Sequence, residues 1–134
     1  MFNEFLKLAK TGVDGIIPTY ESTGTKWSYA KTDEDGFVIQ TAEKVEISTH
    51  ATVGTYYWKH GSDLVKYTNQ MISKNLRVNN EFYSCPVYNE AIHDGKRIRT
   101  LPITRLYPVG TPEDLESFRS TKFYNFWRNS HAAQ

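Results

Sequence analysis

The sequence predicts an α/β fold, with one mixed sheet flanked by helices, and three observations carry that prediction. Lys26 to Lys31 (K-W-S-Y-A-K) and Phe37 to Ala42 (F-V-I-Q-T-A) alternate on either side of T-D-E-D-G, whose Asp-Gly pair is a strong hairpin signal. Residues 2–10, 63–74 and 81–93 repeat apolar side chains at helical spacing. Ile16 and Ile17 are consecutive apolar residues, a pattern that suits a strand covered on both faces.

In chain order, Phe2, Phe5, Leu6 and Ala9 give a short amphipathic helix that Thr11–Gly12 ends. Val13 to Tyr20 is a strand running into a loop at Glu21–Thr25, and the hairpin follows. Its acidic tip, Asp33–Glu34–Asp35, could hold a metal, but at an Asp-Gly turn it reads as a solvated turn. After a polar turn at Ser48–His50, Ala51 to Trp58 is rich in β-branched and aromatic residues and predicts a strand with Gly54 in its middle. A mid-strand glycine implies a bulge or a close approach by a ligand or backbone. Ser62 or Asp63 is the expected N-cap of the helix at 63–74. The helix at 81–93 carries Pro86, which must lie in its first turn or mark a late start. Lys96 to Leu101 alternates as a strand. Thr111, Pro112 and Asp114 have the grammar of a helix start, with the helix expected to run to Trp127. Length predicts a single domain over residues 1–127, followed by a frayed tail at 128–134.

The formal net charge is +1, so nothing in the balance calls for nucleic acid or an anionic membrane. No apolar run approaches the ~20 residues of a membrane span. Met1 to Lys10, with Glu4 and Lys7 in a helical pattern, does not read as a signal peptide. With Cys85 as the one cysteine, no intrachain disulfide can form, and a cytoplasmic location is expected.

Several chemistries lack their residues. The sequence has no Gly-rich phosphate loop, no paired cysteines, no histidines at metal-site spacing and no Gly-x-Ser-x-Gly elbow. Cys85 beside Pro86 reads as a buried thiol, with no histidine at a telling distance. What remains are polar residues at element ends. Glu43–Lys44 could hold a phosphate and a hydroxyl, or be a solvated pair beside a turn. Asn80–Glu81–Phe82–Tyr83 offers a carboxylate and a phenol at a helix start, where capping competes with ligand binding.

Taken in order, K-W-S-Y, D-E-D-G-F-V, A-E-K, I-S-T-H-A-T-V-G-T-Y-Y-W, N-N-E-F-Y-S-C-P-V-Y-N and G-T-P-E-D-L resemble the C-terminal half of the sugar-1-phosphate nucleotidyltransferases, or NDP-sugar synthases. The resemblance runs from about Phe2 to Phe118. It implies part of a Rossmann-like, GT-A-like fold and a role in making NDP-sugars, as in polysaccharide biosynthesis. Such enzymes join a nucleoside triphosphate to a sugar phosphate and release pyrophosphate, with magnesium neutralising the phosphates. On this resemblance Glu43 and Lys44 match an E-K-P motif that contacts the sugar and its phosphate, with Val45 in place of the proline. Gly54 matches a glycine bordering the sugar pocket, and Glu81 and Tyr83 match the acidic motif on the sugar side.

The departures shape the expectation. The family's triphosphate loop and first metal-binding aspartate belong to its N-terminal half, and the second aspartate aligns with Pro108. The chain is therefore expected to be the acceptor-side half, a truncated, split or repurposed form that is inactive alone. It would bind a sugar phosphate, carry no metal or other cofactor itself, and depend on magnesium only in a complete enzyme. A separate chain would supply the nucleotide side. The alternative is a non-catalytic module that binds a sugar phosphate or nucleotide sugar, or that serves assembly. The strand after the first helix would be left with an open edge, so a two-fold homodimer is expected as well.

Overall fold

The computed structural model describes residues 2–131. The chain divides into two compact units, residues 1–104 and 105–134.

The first unit is the expected α/β arrangement. Its elements run α1 (Phe2–Ala9), β1 (Gly15–Glu21), β2 (Ser28–Thr32), β3 (Val38–Glu43), β4 (His50–Thr52), β5 (Tyr57–Trp58), α2 (Gly61–Ser73), α3 (Val87–His93) and β6 (Ile98–Pro102). One mixed sheet has the order β3-β2-β4-β1-β5, with β6 on the other side of β1. β1 pairs parallel with β6 and antiparallel with β4 and β5. The strand after the first helix is thus central and paired on both sides. The open edge expected there is absent, and with it the reason given for a dimer. An isolated bridge from Phe37 to Arg99 also ties the hairpin's turn end to β6.

Ile16 and Ile17 are both fully buried, one on each face. Ile16 packs with Val13 and Leu101 against Phe5 and Leu8 of α1. Ile17 packs with Ala30, Val38, Ile98 and Tyr88 of α3. A strand carrying apolar residues on both sides needs this cover. The α2–α3 side adds Tyr67, Met71, Val87 and Ala91. Trp58 stacks on Tyr88 at 4.2 Å and 9° and lies 6.1 Å from the Tyr67 ring, so β5 is held between the two helices.

Four expectations are corrected. Ala51 to Trp58 is not one strand but two short ones along the same edge of β1, split by residues 53–56. The cause lies opposite. Pro18 of β1 accepts from Val53 N–H, and since a residue's N–H and C=O face the same edge, its missing donor falls where the ladder breaks. Gly54 takes the φ of +77° that the bulge requires, and a Cβ there would meet nothing within 4 Å. Close approach therefore does not explain it.

Second, α2 starts after His60, whose side chain makes no cap; Asp63 instead pairs with Lys96 at 2.7 Å. Third, the helix expected over 81–93 covers only Val87–His93, with Pro86 at its N-cap. Val78 and Glu81 exchange both backbone hydrogen bonds around Asn79 and Asn80, at φ +48° and +67°. That is the backbone of a tight two-residue turn with both centres left-handed, which asparagine tolerates. Asn80 is therefore a turn residue, not a helix cap.

The fourth correction concerns the second unit. Thr111 caps α4 (Pro112–Arg119) as expected, its hydroxyl accepting from Asp114 N–H at 3.1 Å. The helix stops there and restarts as α5 (Lys122–His131). Thr121 Oγ1 donates to Phe118 C=O and accepts from Tyr124 N–H, so one hydroxyl ends the first helix and caps the second. Rings of Tyr107, Phe118, Phe123 and Tyr124 pack within this unit. Residues 128–131 of the expected frayed tail are helical, and the rest lies outside the described residues.

Helix α3 is keyed to β3 by one side chain. Asn89 Oδ1 accepts the Thr41 N–H at 2.7 Å and its Nδ2 donates to Thr41 C=O at 2.9 Å. β3 is the end strand of the sheet order, so the carboxamide imitates a neighbouring strand. Asn89→Ala strands a part-buried donor and acceptor together, and is expected to cost about 1–3 kcal/mol in urea unfolding.

Candidate functional site

The end of β3 is where the predicted site residues meet. Lys44, just past the strand, has φ +57°, a left-handed conformation unusual for lysine. Its N–H donates to Trp27 C=O at 3.0 Å. Its Nζ donates to Tyr83 Oη at 2.7 Å and lies 4.8 Å from that ring's centre. Tyr83 in turn donates to Glu81 Oε2 at 2.5 Å. Residues 39 positions apart in sequence thus meet in one chain, ammonium to phenol to carboxylate.

Local structure explains the meeting. The Asn79–Asn80 turn presents Glu81, and Arg77 braces it by donating to Asn80 C=O at 2.9 Å while lying over Phe82. Thr41 Oγ1 donates to Cys85 C=O at 2.9 Å, which pins the segment carrying Tyr83 against β3. Beside Lys44, the Glu43 side chain is turned inward, 8% exposed, and accepts from Ser28 Oγ. The hydrogen bond to Tyr83 holds the Lys44 ammonium above the usual lysine range. It therefore stays charged throughout the neutral range. An ammonium has three N–H groups and Tyr83 takes one, so Lys44 can also hold an anion.

Of the five predicted residues, Glu43, Lys44, Glu81 and Tyr83 come together. Gly54 does not join them; it sits in the bulge beyond β4, two strand spacings, or about 10 Å, from β3. Behind Tyr83 lies a shallow pocket of about 130 Å³ between α2 and the 82–87 segment, walled by Leu64, Met71, Phe82 and Val87. Residues missed in the sequence are Ser28, Thr52 and Tyr56. The Tyr56 hydroxyl lies 2.9 Å from Thr52 Oγ1. The four-residue spacing of Thr52 and Tyr56, straddling Gly54, was the only available signal.

Among the described residues, no three His, Cys, Asp or Glu side chains gather to hold a metal. The nearby carboxylates, Glu43 and Glu81, are each engaged by a hydroxyl. The residues present therefore do not fit a magnesium site. Cys85 is buried, and burial pushes its thiol up to about 11, which suits an inert core thiol and not a nucleophile.

No protein-family model matches the chain, and no curated protein matches it. Solved structures do. The nucleoside-diphosphate-sugar pyrophosphorylase of Vibrio cholerae RC9 is similar over 85% of this chain and 49% of its own, at 28% identity and a TM-score of 0.79. A CMP:2-keto-3-deoxy-manno-octonic acid synthetase solved with CTP matches 92% of this chain and 56% of its own, at 15% identity and a TM-score of 0.60. A Bacillus anthracis protein described as a glucose-1-phosphate thymidylyltransferase, solved with sucrose, matches 86% and 46%, at 15% identity and a TM-score of 0.63. The last two likenesses concern the fold alone. The fold of this chain is that of the sugar-nucleotide-forming nucleotidyltransferases, and it spans about half the length of each of these proteins. No helix among the described residues is long and apolar enough to cross a membrane.

The buried thiol has a pH consequence. Between pH 9 and pH 11 the unfolded chain releases the Cys85 proton while the folded chain keeps it, so the unfolded state binds fewer protons and stability falls as pH rises. Two pK units correspond to about 2–3 kcal/mol. Tyr56 and Tyr88, also raised by burial, act in the same direction at higher pH. Urea unfolding from pH 8 to 11 is expected to show this decline, with a shallower slope in Cys85→Ala.

Proposed function

We propose that this chain is the acceptor side of a sugar-phosphate nucleotidyltransferase, equivalent to the C-terminal half of such enzymes. Its ligand is a sugar phosphate held at the end of β3. The observation that carries this reading is the Lys44–Tyr83–Glu81 chain beside the inward-turned Glu43. The likeness to an NDP-sugar pyrophosphorylase supports it. In this reading Lys44 holds the phosphate as a point charge, while Glu43 and Glu81 accept hydrogen bonds from sugar hydroxyls. The bound phosphate oxygen would attack the α-phosphorus of a nucleoside triphosphate, forming one P–O bond as the bond to pyrophosphate breaks.

The residues that would cradle the triphosphate are not among these 134, which contain no Gly-rich phosphate loop. They would come from outside this sequence, as another segment or a separate chain, and so would any magnesium site. We assign no step to the ion. A non-catalytic sugar-phosphate module remains the second reading, and the same absence of a loop favours it. A pyrophosphate-release assay, run with and without a chain bearing such a loop, separates the two. The first reading predicts release only with the loop-bearing chain, and the second predicts none in either case. Release by these residues alone would contradict both.

Binding can be tested directly. Lys44→Ala is expected to weaken hexose 1-phosphate binding in calorimetry by about 1–3 kcal/mol, the worth of a charge-assisted bond. Lys44→Asn, which tolerates a positive φ, is expected to lose the same binding with its urea midpoint unchanged or raised. Unchanged affinity in both variants would make Lys44 an ordinary surface residue.

A further inference from the structure

Two arginines share one aromatic ring at the outer edge of β6. Along that strand side chains alternate, and Ile98 packs with Ile17 and Tyr88 on the α3 side. Arg97 and Arg99 flank it and face the α1 side, where Leu101 packs with Val13 and Ile16 and Phe37 lies against that cluster. The Arg97 guanidinium stands 4.5 Å from the centre of the Phe37 ring, and the Arg99 guanidinium 4.8 Å. The two cations can therefore be no farther apart than those two distances laid end to end.

Backbone and turn geometry hold them there. Phe37 and Arg99 form a backbone bridge, so ring and guanidinium ride on paired chain. Arg97 C=O accepts from Asp14 N–H at 2.8 Å, and Arg97 N–H donates to Asp14 Oδ2 at 2.9 Å. Gly36, at φ +80°, leaves room for Arg99, since a Cβ there would stand 2.8 Å from Nη2. A cation–π contact offsets part of the charge and uses none of the five N–H groups of a guanidinium. Among the described residues neither arginine pairs with a carboxylate. The nearby acids are engaged otherwise: Asp33 Oδ1 accepts the Phe37 N–H, and Asp14 and Asp63 both pair with Lys96.

We infer that Arg97 and Arg99 form an anion site for a diphosphate group, with Phe37 as the residue that positions both. Two like charges kept this close without a counter-charge repel, and an anion between them relieves the repulsion. Each guanidinium is a rigid planar fork that matches one phosphate group with two parallel hydrogen bonds. Two neighbouring forks therefore fit two linked phosphate groups better than one. Tyr83 and Lys44 belong with the segment before α3, so this is a second site, and its test does not depend on sugar-phosphate binding at the end of β3.

Amide and arginine Nε–H NMR shifts, recorded in about 0.15 M salt while inorganic pyrophosphate is added, test it. Saturable changes are expected at Arg97, Arg99 and Phe37, both in the wild-type chain and in Lys44→Ala, which lacks the ammonium of the other site. Arg97→Gln and Arg99→Gln should each weaken pyrophosphate at least about tenfold, the worth of a charge-assisted bond. Arg99→Lys keeps the charge but not the fork, and should weaken it nearly as much. Inorganic phosphate should bind the wild-type chain about tenfold more weakly than pyrophosphate, having one group for two forks. No saturable change at Arg97 and Arg99 in the wild-type chain, or changes that vanish in Lys44→Ala, would overturn the site whatever the arginine variants show. Unchanged affinity in both Arg→Gln variants would overturn the residues assigned to it. Equal affinity for phosphate and pyrophosphate, or full affinity in Arg99→Lys, would overturn the pairing of two forks with a diphosphate.

Discussion

The candidate site depends on how Asn89 meets Thr41. Thr41 belongs to the last strand of the sheet order, where unpaired backbone groups need a partner. Asn89 supplies a donor and an acceptor in the spacing of a strand, and Thr41 Oγ1 returns a bond to Cys85 C=O. These contacts fix α3 and the segment before it against β3. Tyr83 lies two residues before Cys85 and Lys44 three after Thr41. The same lock that closes the sheet edge therefore sets the distance between phenol and ammonium. Fold and site are joined at one polar contact between parts of the chain 48 residues apart.

Around that lock the chain accepts left-handed backbone beside the candidate site. Lys44, Asn79 and Asn80 all have positive φ. The asparagines are ordinary choices for a tight turn. Lysine is not, and its conformation is matched by a hydrogen bond to Tyr83 and by the backbone bond to Trp27. Those two contacts fix the direction of the lysine at the candidate site. The bulge at Gly54 has the same character, since it gives up ladder bonds opposite Pro18 and brings Tyr56 toward Thr52.

Much of this was legible in the sequence. The hairpin, the capped start at Thr111 and the two-sided burial of Ile16 and Ile17 followed from turn chemistry, capping and periodicity, because each is decided by neighbours in the chain. Glu43, Lys44, Glu81 and Tyr83 stood out as polar residues at element ends, a resemblance supplied their roles, and the structure brings them together. What sequence could not give was decided across the fold. Pro18 breaks a strand that is distant in sequence, so Ala51 to Trp58 looked continuous. The helix expected over 81–93 begins only at Val87, because Glu81 closes the turn at Asn79–Asn80 and Pro86 sits at the N-cap. The centrality of β1 rests on β6, more than 75 residues later by sequence, so no local pattern announced it. The Thr52–Tyr56 contact was invisible because it depends on the break opposite Pro18.

The central claim is that the end of β3 is a sugar-phosphate site. It is tested most directly by recording amide and side-chain NMR shifts while glucose 1-phosphate is added. The account predicts saturable changes centred on Glu43, Lys44, Glu81 and Tyr83, with smaller ones at Ser28, which donates to Glu43. Saturable changes centred elsewhere, or none up to millimolar ligand, would contradict it.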